Sequence, residues 1–133
     1  MKFSKRVQFF FTDAKEWLRT KIGAWCFVLA FFFLALDIAL PIWRIVPLAE
    51  SRPYIPLHYN IYLGVDRLGA WHQIFIIPAL GLGLFLFHLI LQTIAFRKEK
   101  LLATMVAIAS VVLEFLLFVA MALIVLLNLS YAA

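Results

Sequence analysis

Charged residues are scarce in this sequence, and the residue patterns of catalytic and metal sites are missing. Asp, Glu, Lys and Arg make up 14% of the 133 residues, whereas 66% are hydrophobic. The single cysteine, Cys26, excludes an intrachain disulfide and a cysteine cluster. No Ser, His and Asp order, Gly-rich phosphate loop or His-Glu-x-x-His motif occurs. We therefore predict a non-enzymatic protein without catalytic residues, cofactor or metal ion.

The hydrophobic residues are gathered in three long runs. A soluble domain of this length has too little interior to hide so much apolar surface. Each run is near or above the roughly 20 residues that cross the hydrocarbon core of a bilayer. The net charge of +5 lies in short flanks of these runs, where it sets topology and does not indicate nucleic-acid binding. The sequence thus predicts an all-α membrane protein with three transmembrane helices in one domain, 1–133.

The N-terminal segment, 1–23, is basic and has its apolar residues at helical spacing. We expect an interfacial amphipathic helix that contacts membrane lipid, with a solvated basic tail as the alternative. Asp13-x-x-Glu16 has the form of a capping box, which predicts that a helix begins near Asp13. The segments predicted after it are transmembrane helix 1 at 24–46, an outer loop at 47–72, helix 2 at 73–96, a turn at 97–100, helix 3 at 101–129 and a tail at 130–133.

The basic residues are distributed unevenly along the chain. Nine of the twelve Lys and Arg residues lie in the N-terminal flank and in the 97–100 turn. Because basic residues favour the cytoplasmic side, we expect both of these segments to be cytoplasmic. The outer loop and the C terminus are then expected outside.

Four of the polar residues inside the apolar runs need a physical explanation: Asp37, His88, Gln92 and Glu114. Helical spacing places Ala103, Ala107, Ser110 and Glu114 on one face of helix 3, and Gly81, Phe85, His88 and Gln92 on one face of helix 2. On helix 1, Ala30, Asp37 and Arg44 share a face. We expect these faces to point into the bundle, since a carboxylate at mid-bilayer costs roughly 2.5–3.5 kcal/mol on insertion scales.

Two hypotheses account for these intramembrane groups. Asp37, Glu114 and His88 form a proton or cation relay, or the carboxyl groups are protonated and hydrogen-bond across the bundle as packing. The structural hypothesis is favoured because three short helices leave little room for a pore. A metal site from the same three residues fits by ligand type but lacks any motif spacing. Separately, the small residues Ala79 and Gly83 are expected to let another helix approach.

The outer loop is the least ordinary segment. Apolar and polar residues alternate from Tyr54 to Leu63, which indicates extended chain, and 64–69 supplies turn residues. Extended backbone cannot enter hydrocarbon alone, so the loop is expected to cap the outer surface as a short hairpin. It is either an aromatic-anchored connector or a docking surface. The predicted contacts with a partner or ligand are His58, Tyr59, Asn60, Asp66, Trp71 and His72.

This loop also carries a resemblance. The residues Ile-Pro-Leu-His-Tyr-Asn at 55–60, followed by Gly64, Asp66 and Gly69, resemble the Pro-x-His-aromatic-Asn/Asp…Gly…Asp signature of a bacterial membrane domain of unknown function. The same domain begins the immunity membrane proteins of the sporulation-delaying toxin system. In that family the signature stands between a first and a second transmembrane helix, as it does here.

The resemblance covers about Leu48 to Leu91 and implies a protein of the bacterial cytoplasmic membrane. The chain departs from the family by a longer spacing between Asn60 and Gly64. It also has Trp71-His72 where the family has a Lys. Toxin immunity is not carried over, because the further helices of the immunity proteins are missing from this sequence.

We expect a multi-pass inner-membrane protein that interacts through its outer loop, as a homo-oligomer or with a partner membrane protein. The alternative is a small proton- or cation-coupled transporter that uses Asp37, Glu114 and His88.

Overall fold

The structure, a computed structural model, describes residues 2–131. Of the predicted tail at 130–133, residues 132 and 133 therefore lie outside the described residues. Short 3₁₀ turns at Val46–Leu48 and Trp71–Phe75 join the longer elements. These elements are α1 (Lys2–Arg19), α2 (Lys21–Arg44), β1 (Tyr54–Asn60), β2 (Gly64–Ala70), α3 (Ile76–Lys98) and α4 (Lys100–Ser130).

Three stretches of the described chain are helical, long and apolar enough to cross a membrane: Lys21–Leu48, Trp71–Lys98 and Lys100–Ser130. Together with the small β-hairpin, they make a mostly helical, multi-pass membrane protein, which confirms the predicted class. The predicted spans agree with α2, α3 and α4 to within a few residues. α4 packs along both α2 and α3, whereas α2 and α3 contact each other much less.

The first helix begins earlier than the predicted capping box. α1 runs without a break from Lys2 to Arg19, so Asp13 lies inside it and caps nothing. The cap belongs instead to α2, where the Thr20 hydroxyl accepts a hydrogen bond from the Gly23 amide at 3.0 Å. Asp13 pairs with Arg97 of α3 at 2.8 Å, so its carboxylate is occupied by a tertiary contact.

The bundle therefore has two distinct ends. The α1 end carries α1 and the short connection between α3 and α4, and the hairpin end carries β1 and β2. Buried apolar residues of the described chain form clusters at three levels between these ends. From one end to the other, they are the α1-end cluster (Trp17, Ala95, Ala103, Ala107), the middle cluster (Ala30, Leu34, Phe85) and the hairpin-end cluster (Ile45, Ile55, Ile74, Met121, Val125).

The predicted outer hairpin is present, but its turn lies earlier than expected. β1 and β2 pair antiparallel from Tyr54 opposite Ala70 to Asn60 opposite Gly64, and residues 61–63 connect them. Gly64 has a φ of 75°, a left-handed conformation that favours glycine and closes a three-residue hairpin loop. The predicted turn segment, 64–69, is therefore strand β2.

The register of the hairpin shifts on both sides of His58. Such a bulge interrupts the strict alternation of faces along a strand. Ile55 is buried and Leu57 is half-buried, but Tyr59, which the alternation places on the same face, is exposed. The inward face of β1 thus ends at Leu57.

Candidate functional site

The hairpin is fixed to the bundle by packing and by hydrogen bonds at its base. Ile55 belongs to the hairpin-end cluster with Met121 and Val125 of α4. Asn128 of α4 donates a hydrogen bond from Nδ2 to the Pro56 carbonyl at 2.7 Å. The Trp71 amide donates to the Pro53 carbonyl at 3.1 Å, which closes the base of the hairpin. The strands therefore have a defined position on the membrane helices.

Beyond this base, two of the predicted contact residues meet across the strands. The His58 ring donates from Nδ1 to Asp66 Oδ1 at 2.6 Å, with both side chains accessible to solvent. Asn60 acts locally, because its Oδ1 accepts a hydrogen bond from the Tyr62 amide at 2.9 Å. The His58–Asp66 pair and Asn60 stabilise the shape of the hairpin and leave its tip free for contacts.

The tip of the hairpin, Ile61-Tyr62-Leu63, is strongly exposed. Fractional exposure is 82% for Ile61, 91% for Tyr62 and 76% for Leu63. Apolar groups of this size are usually covered, either by a partner or by the membrane interface. None of these three residues is among the predicted contacts with a partner or ligand. Apolar residues on both sides of Tyr62, directly before the turn residue Gly64, could have indicated an exposed apolar tip.

A groove of about 770 Å³ lies between β1 and α4 at the hairpin end. Its walls are mainly apolar, and His58 and Ser130 add polar atoms. The residues that shape it are Leu57, His58 and Tyr59 of β1 and Leu123, Leu127 and Ser130 of α4. The groove joins the hairpin surface to the exposed face of a membrane helix.

Of the remaining predicted contact residues, Trp71 and His72 lie at the base of the hairpin, whereas Tyr59 lines the groove with His58. Trp71 is half-buried against the hairpin-end cluster, 6.4 Å from the Phe75 ring, so its indole helps to seat the hairpin. His72 is exposed and stacks edge-on against Trp71, with 5.9 Å between the ring centroids. Tyr59 is exposed beside the groove.

Inside the bundle, Asp37 and Glu114 lie fully buried on the facing helices α2 and α4, as the spacing predicted. Each has a fractional exposure of 0%. No described residue forms a hydrogen bond with any of their four carboxyl oxygens. The hydrogen bonding predicted for protonated carboxyl groups across the bundle stays a prediction. We refer to these two residues as the acid pair.

The two polar residues predicted on α3 have different surroundings. Gln92 is buried and accepts a hydrogen bond at Oε1 from the Trp17 indole at 2.9 Å, which ties α1 to α3. His88 is half-buried, and its Nδ1 has no partner among the described residues. No group of three or more His, Cys, Asp or Glu side chains in the described chain is arranged to hold a metal ion.

Two residues that make tertiary hydrogen bonds, Trp17 and Asn128, are not among the predicted polar contacts. Trp17 is one of the apolar residues at helical spacing in 1–23, and the N–H of a buried indole usually has a hydrogen-bond acceptor. Asn128 continues the inward stripe of α4 above Glu114, because Met121, Val125 and Asn128 follow at helical spacing. A polar residue on such a stripe could have been recognised as a tertiary contact.

Comparison of the chain with protein-family models, with curated proteins and with solved structures yields no match.

Proposed function

We propose that this protein is a non-enzymatic interaction protein of the bacterial cytoplasmic membrane that binds a partner membrane protein through its hairpin. The observation that carries this proposal is the exposed apolar tip on a well-seated hairpin. The tip residues Ile61, Tyr62 and Leu63 keep most of their surface accessible, whereas the base of the same hairpin is buried. Exposed Tyr beside aliphatic side chains is typical of the centre of a protein interface.

The groove beside β1 supports the same proposal. It lies between the hairpin and the exposed face of α4, so a partner that contacts the tip also meets a membrane helix. A partner with its own transmembrane helix could therefore bind both surfaces at once. His58 lines the groove and adds a polar contact for such a partner.

The orientation that we propose puts the hairpin end outside and the α1 end in the cytoplasm. Nine of the twelve Lys and Arg residues lie in the N-terminal flank and the α3–α4 connection. Asp13 and Gln92 join these two basic regions at one end through contacts with Arg97 and Trp17. The exposed Phe9 and Phe11 suit a first helix that lies in the lipid interface.

The experiment is a pull-down of the tagged protein from its native membrane in mild detergent, with mass determination of what is recovered. We expect a stoichiometric membrane protein in the wild-type sample, and its loss from the variant Tyr62→Ser. The matched control is Tyr131→Ser, which changes an exposed tyrosine at the same end but outside the hairpin.

The outcomes separate the partner hypothesis from the alternatives. Recovery of only the tagged chain as a defined oligomer, broken by Tyr62→Ser, means that the partner is a second copy. Equal recovery of the partner with wild type, Tyr62→Ser and Tyr131→Ser contradicts a role for the tip and leaves it as an anchor in the lipid interface.

A further inference from the structure

The acid pair places two carboxyl groups in the middle of an apolar bundle. Asp37 and Glu114 have a fractional exposure of 0%, and no described residue donates to their oxygens. Two ionised carboxylates in these surroundings would repel each other and would lose their hydration without compensation. Each carboxyl group therefore needs a positive ligand, either a proton or another cation.

The backbone adds a second feature at the same level. Pro41 lies one turn after Asp37 in α2 and is fully buried. Since proline has no N–H, it cannot donate the helical hydrogen bond that the Asp37 carbonyl would ordinarily accept. The Asp37 carbonyl is thus a further acceptor without its usual helical donor, in addition to the carboxyl groups.

The close packing around Glu114 favours a proton over a larger cation as its ligand. A Cβ atom placed on Gly81 would lie 3.0 Å from Glu114 Oε2, 3.2 Å from Leu34 Cδ1 and 3.4 Å from Leu117 Cδ1. Glycine thus allows α3 to approach the carboxyl group closely, with leucine side chains around it. A metal cation needs several oxygen ligands in a shell, whereas a proton needs one.

We propose that Asp37 and Glu114 form an intramembrane proton-binding site that exchanges with the α1 end of the bundle. This site is independent of the hairpin and of any partner bound there. It supplies the group that a proton-coupled activity would require.

The direction of exchange follows from the layers on either side of the pair. Toward the hairpin, the apolar hairpin-end cluster separates the pair from solvent. Toward the α1 end, Ser110 lies buried one turn from Glu114 on the same stripe of α4, and the unpartnered Nδ1 of His88 lies on α3. These polar atoms offer positions for a proton on the α1 side. On the hairpin side, the buried Asn128 already donates its Nδ2 to the Pro56 and Ile124 carbonyls.

Other titratable groups on the surrounding elements are few or remote. On α3, His88 lies two turns from Gly81, and Arg97 and Lys98 are at the α1 end. On α2, Cys26 and Arg44 lie about three turns and two turns from Asp37, and on α4 the remaining charged residue is Lys100 at its start. The hairpin and the turn after it place His58, Asp66, Arg67 and His72 in exposed positions. Proton binding is therefore assigned to Asp37 and Glu114 themselves.

The test is infrared difference spectroscopy of the full chain in liposomes of phosphatidylethanolamine and phosphatidylglycerol, which reads the C=O stretch of protonated carboxyl groups. We expect this band at neutral pH in the wild type and its decline as the pH is raised. Asp37→Asn and Glu114→Gln should each remove part of the band, and the double variant should remove it. The control Glu50→Gln changes an exposed carboxyl group and should leave the band intact.

A second pair of variants keeps the test decisive if the acid variants fold poorly. Gly81→Ala puts a methyl group against Glu114 Oε2 and should shift the band. Gly83→Ala, on the same helix, meets no atom within 4 Å and should leave it in place. Absence of a protonated-carboxyl band at neutral pH would overturn the proposal. Loss of the band on adding Na⁺ or Ca²⁺ at constant pH would also overturn it and assign the site to a metal cation.

The direction of exchange has its own readout in the same sample. Transfer into D₂O shifts the carboxyl band, and the rate of this shift reports access to the pair. Ser110→Ala should slow the shift, whereas Ser130→Ala, a change at the hairpin end of the same helix, should not. Slowing by Ser130→Ala alone would refute access from the α1 end.

Discussion

Single side-chain hydrogen bonds at the ends of the bundle contribute strongly to holding its helices together. In a membrane, apolar side chains gain little free energy by leaving lipid for another helix. Polar contacts and close packing therefore hold the helices together. Trp17 illustrates this at the α1 end. Its ring packs 5.4 Å from that of Phe96, and its N–H satisfies the buried Gln92.

Trp17→Phe should destabilise the protein and loosen the contact of α1 with α3. The phenyl ring keeps much of the packing, but Gln92 Oε1 loses its donor, which costs roughly 1–3 kcal/mol. The free energy of unfolding in detergent measures the effect. Trp25→Phe is the control, because Trp25 is 66% exposed, against 2% for Trp17. Equal stability of the two variants would show that the indole hydrogen bond contributes nothing.

At the scale of elements, the hairpin depends on a helix that is distant in sequence. A two-stranded sheet alone is marginally stable in water. Here Asn128 donates to Pro56 of β1 and also to Ile124 of its own helix, at 2.7 Å and 2.8 Å. The hairpin should therefore lose its fixed position when this side chain is removed, even though the strands themselves are unchanged.

Asn128→Ala is expected to raise amide hydrogen exchange across β1 and β2 several-fold while α3 and α4 stay protected. The physical reason is that the Pro56 carbonyl loses its donor, and local opening of the hairpin becomes easier. Exchange measured by mass spectrometry in detergent reads both regions at once. Ser130→Ala, which removes a hydroxyl that donates to the nearby Leu127 carbonyl of the same helix, should match the wild type.

At the scale of the whole molecule, orientation is the first property to test. In a Cys26→Ser background, Tyr62→Cys at the tip should react with a membrane-impermeant maleimide in intact spheroplasts. Lys98→Cys, at the other end of the bundle, should react only after the membrane is opened. This expectation rests on the concentration of Lys and Arg at the α1 end. The reverse labelling pattern would place the hairpin in the cytoplasm.

Transport is the second property of the whole molecule. Liposomes that contain the protein should dissipate a pH gradient no faster than protein-free liposomes. The apolar hairpin-end cluster lies between the acid pair and the hairpin, and we expect it to block passage of a bound proton at that end. A flux above background that Glu114→Gln removes would instead support the transporter hypothesis, and a fluorescent pH indicator inside the liposomes measures it.

Much of this architecture could be predicted from residue patterns along the chain. In a hydrophobic run of bilayer length, a helix satisfies the hydrogen bonds of every backbone N–H and C=O group. The helices α2, α3 and α4 could therefore be predicted from composition. Helical spacing placed Asp37 and Glu114 inward, because burying one face of a helix is a local property of its sequence. Alternation in the outer loop predicted extended chain for the same reason.

Contacts between distant segments were decided only by the tertiary structure. The Asp13-x-x-Glu16 spacing predicts a helix cap, but the Asp13 carboxylate pairs with Arg97, which is far along the chain. The positions of the hairpin turn and bulge depended on Gly64 and on the seat that Asn128 provides. The acid pair shows the same limit: spacing indicated that both carboxyl groups point inward, but the leucines, Gly81 and missing donors around them come from three different helices. Local sequence determines which face of a helix is buried, whereas the neighbours of a buried atom depend on how the helices pack.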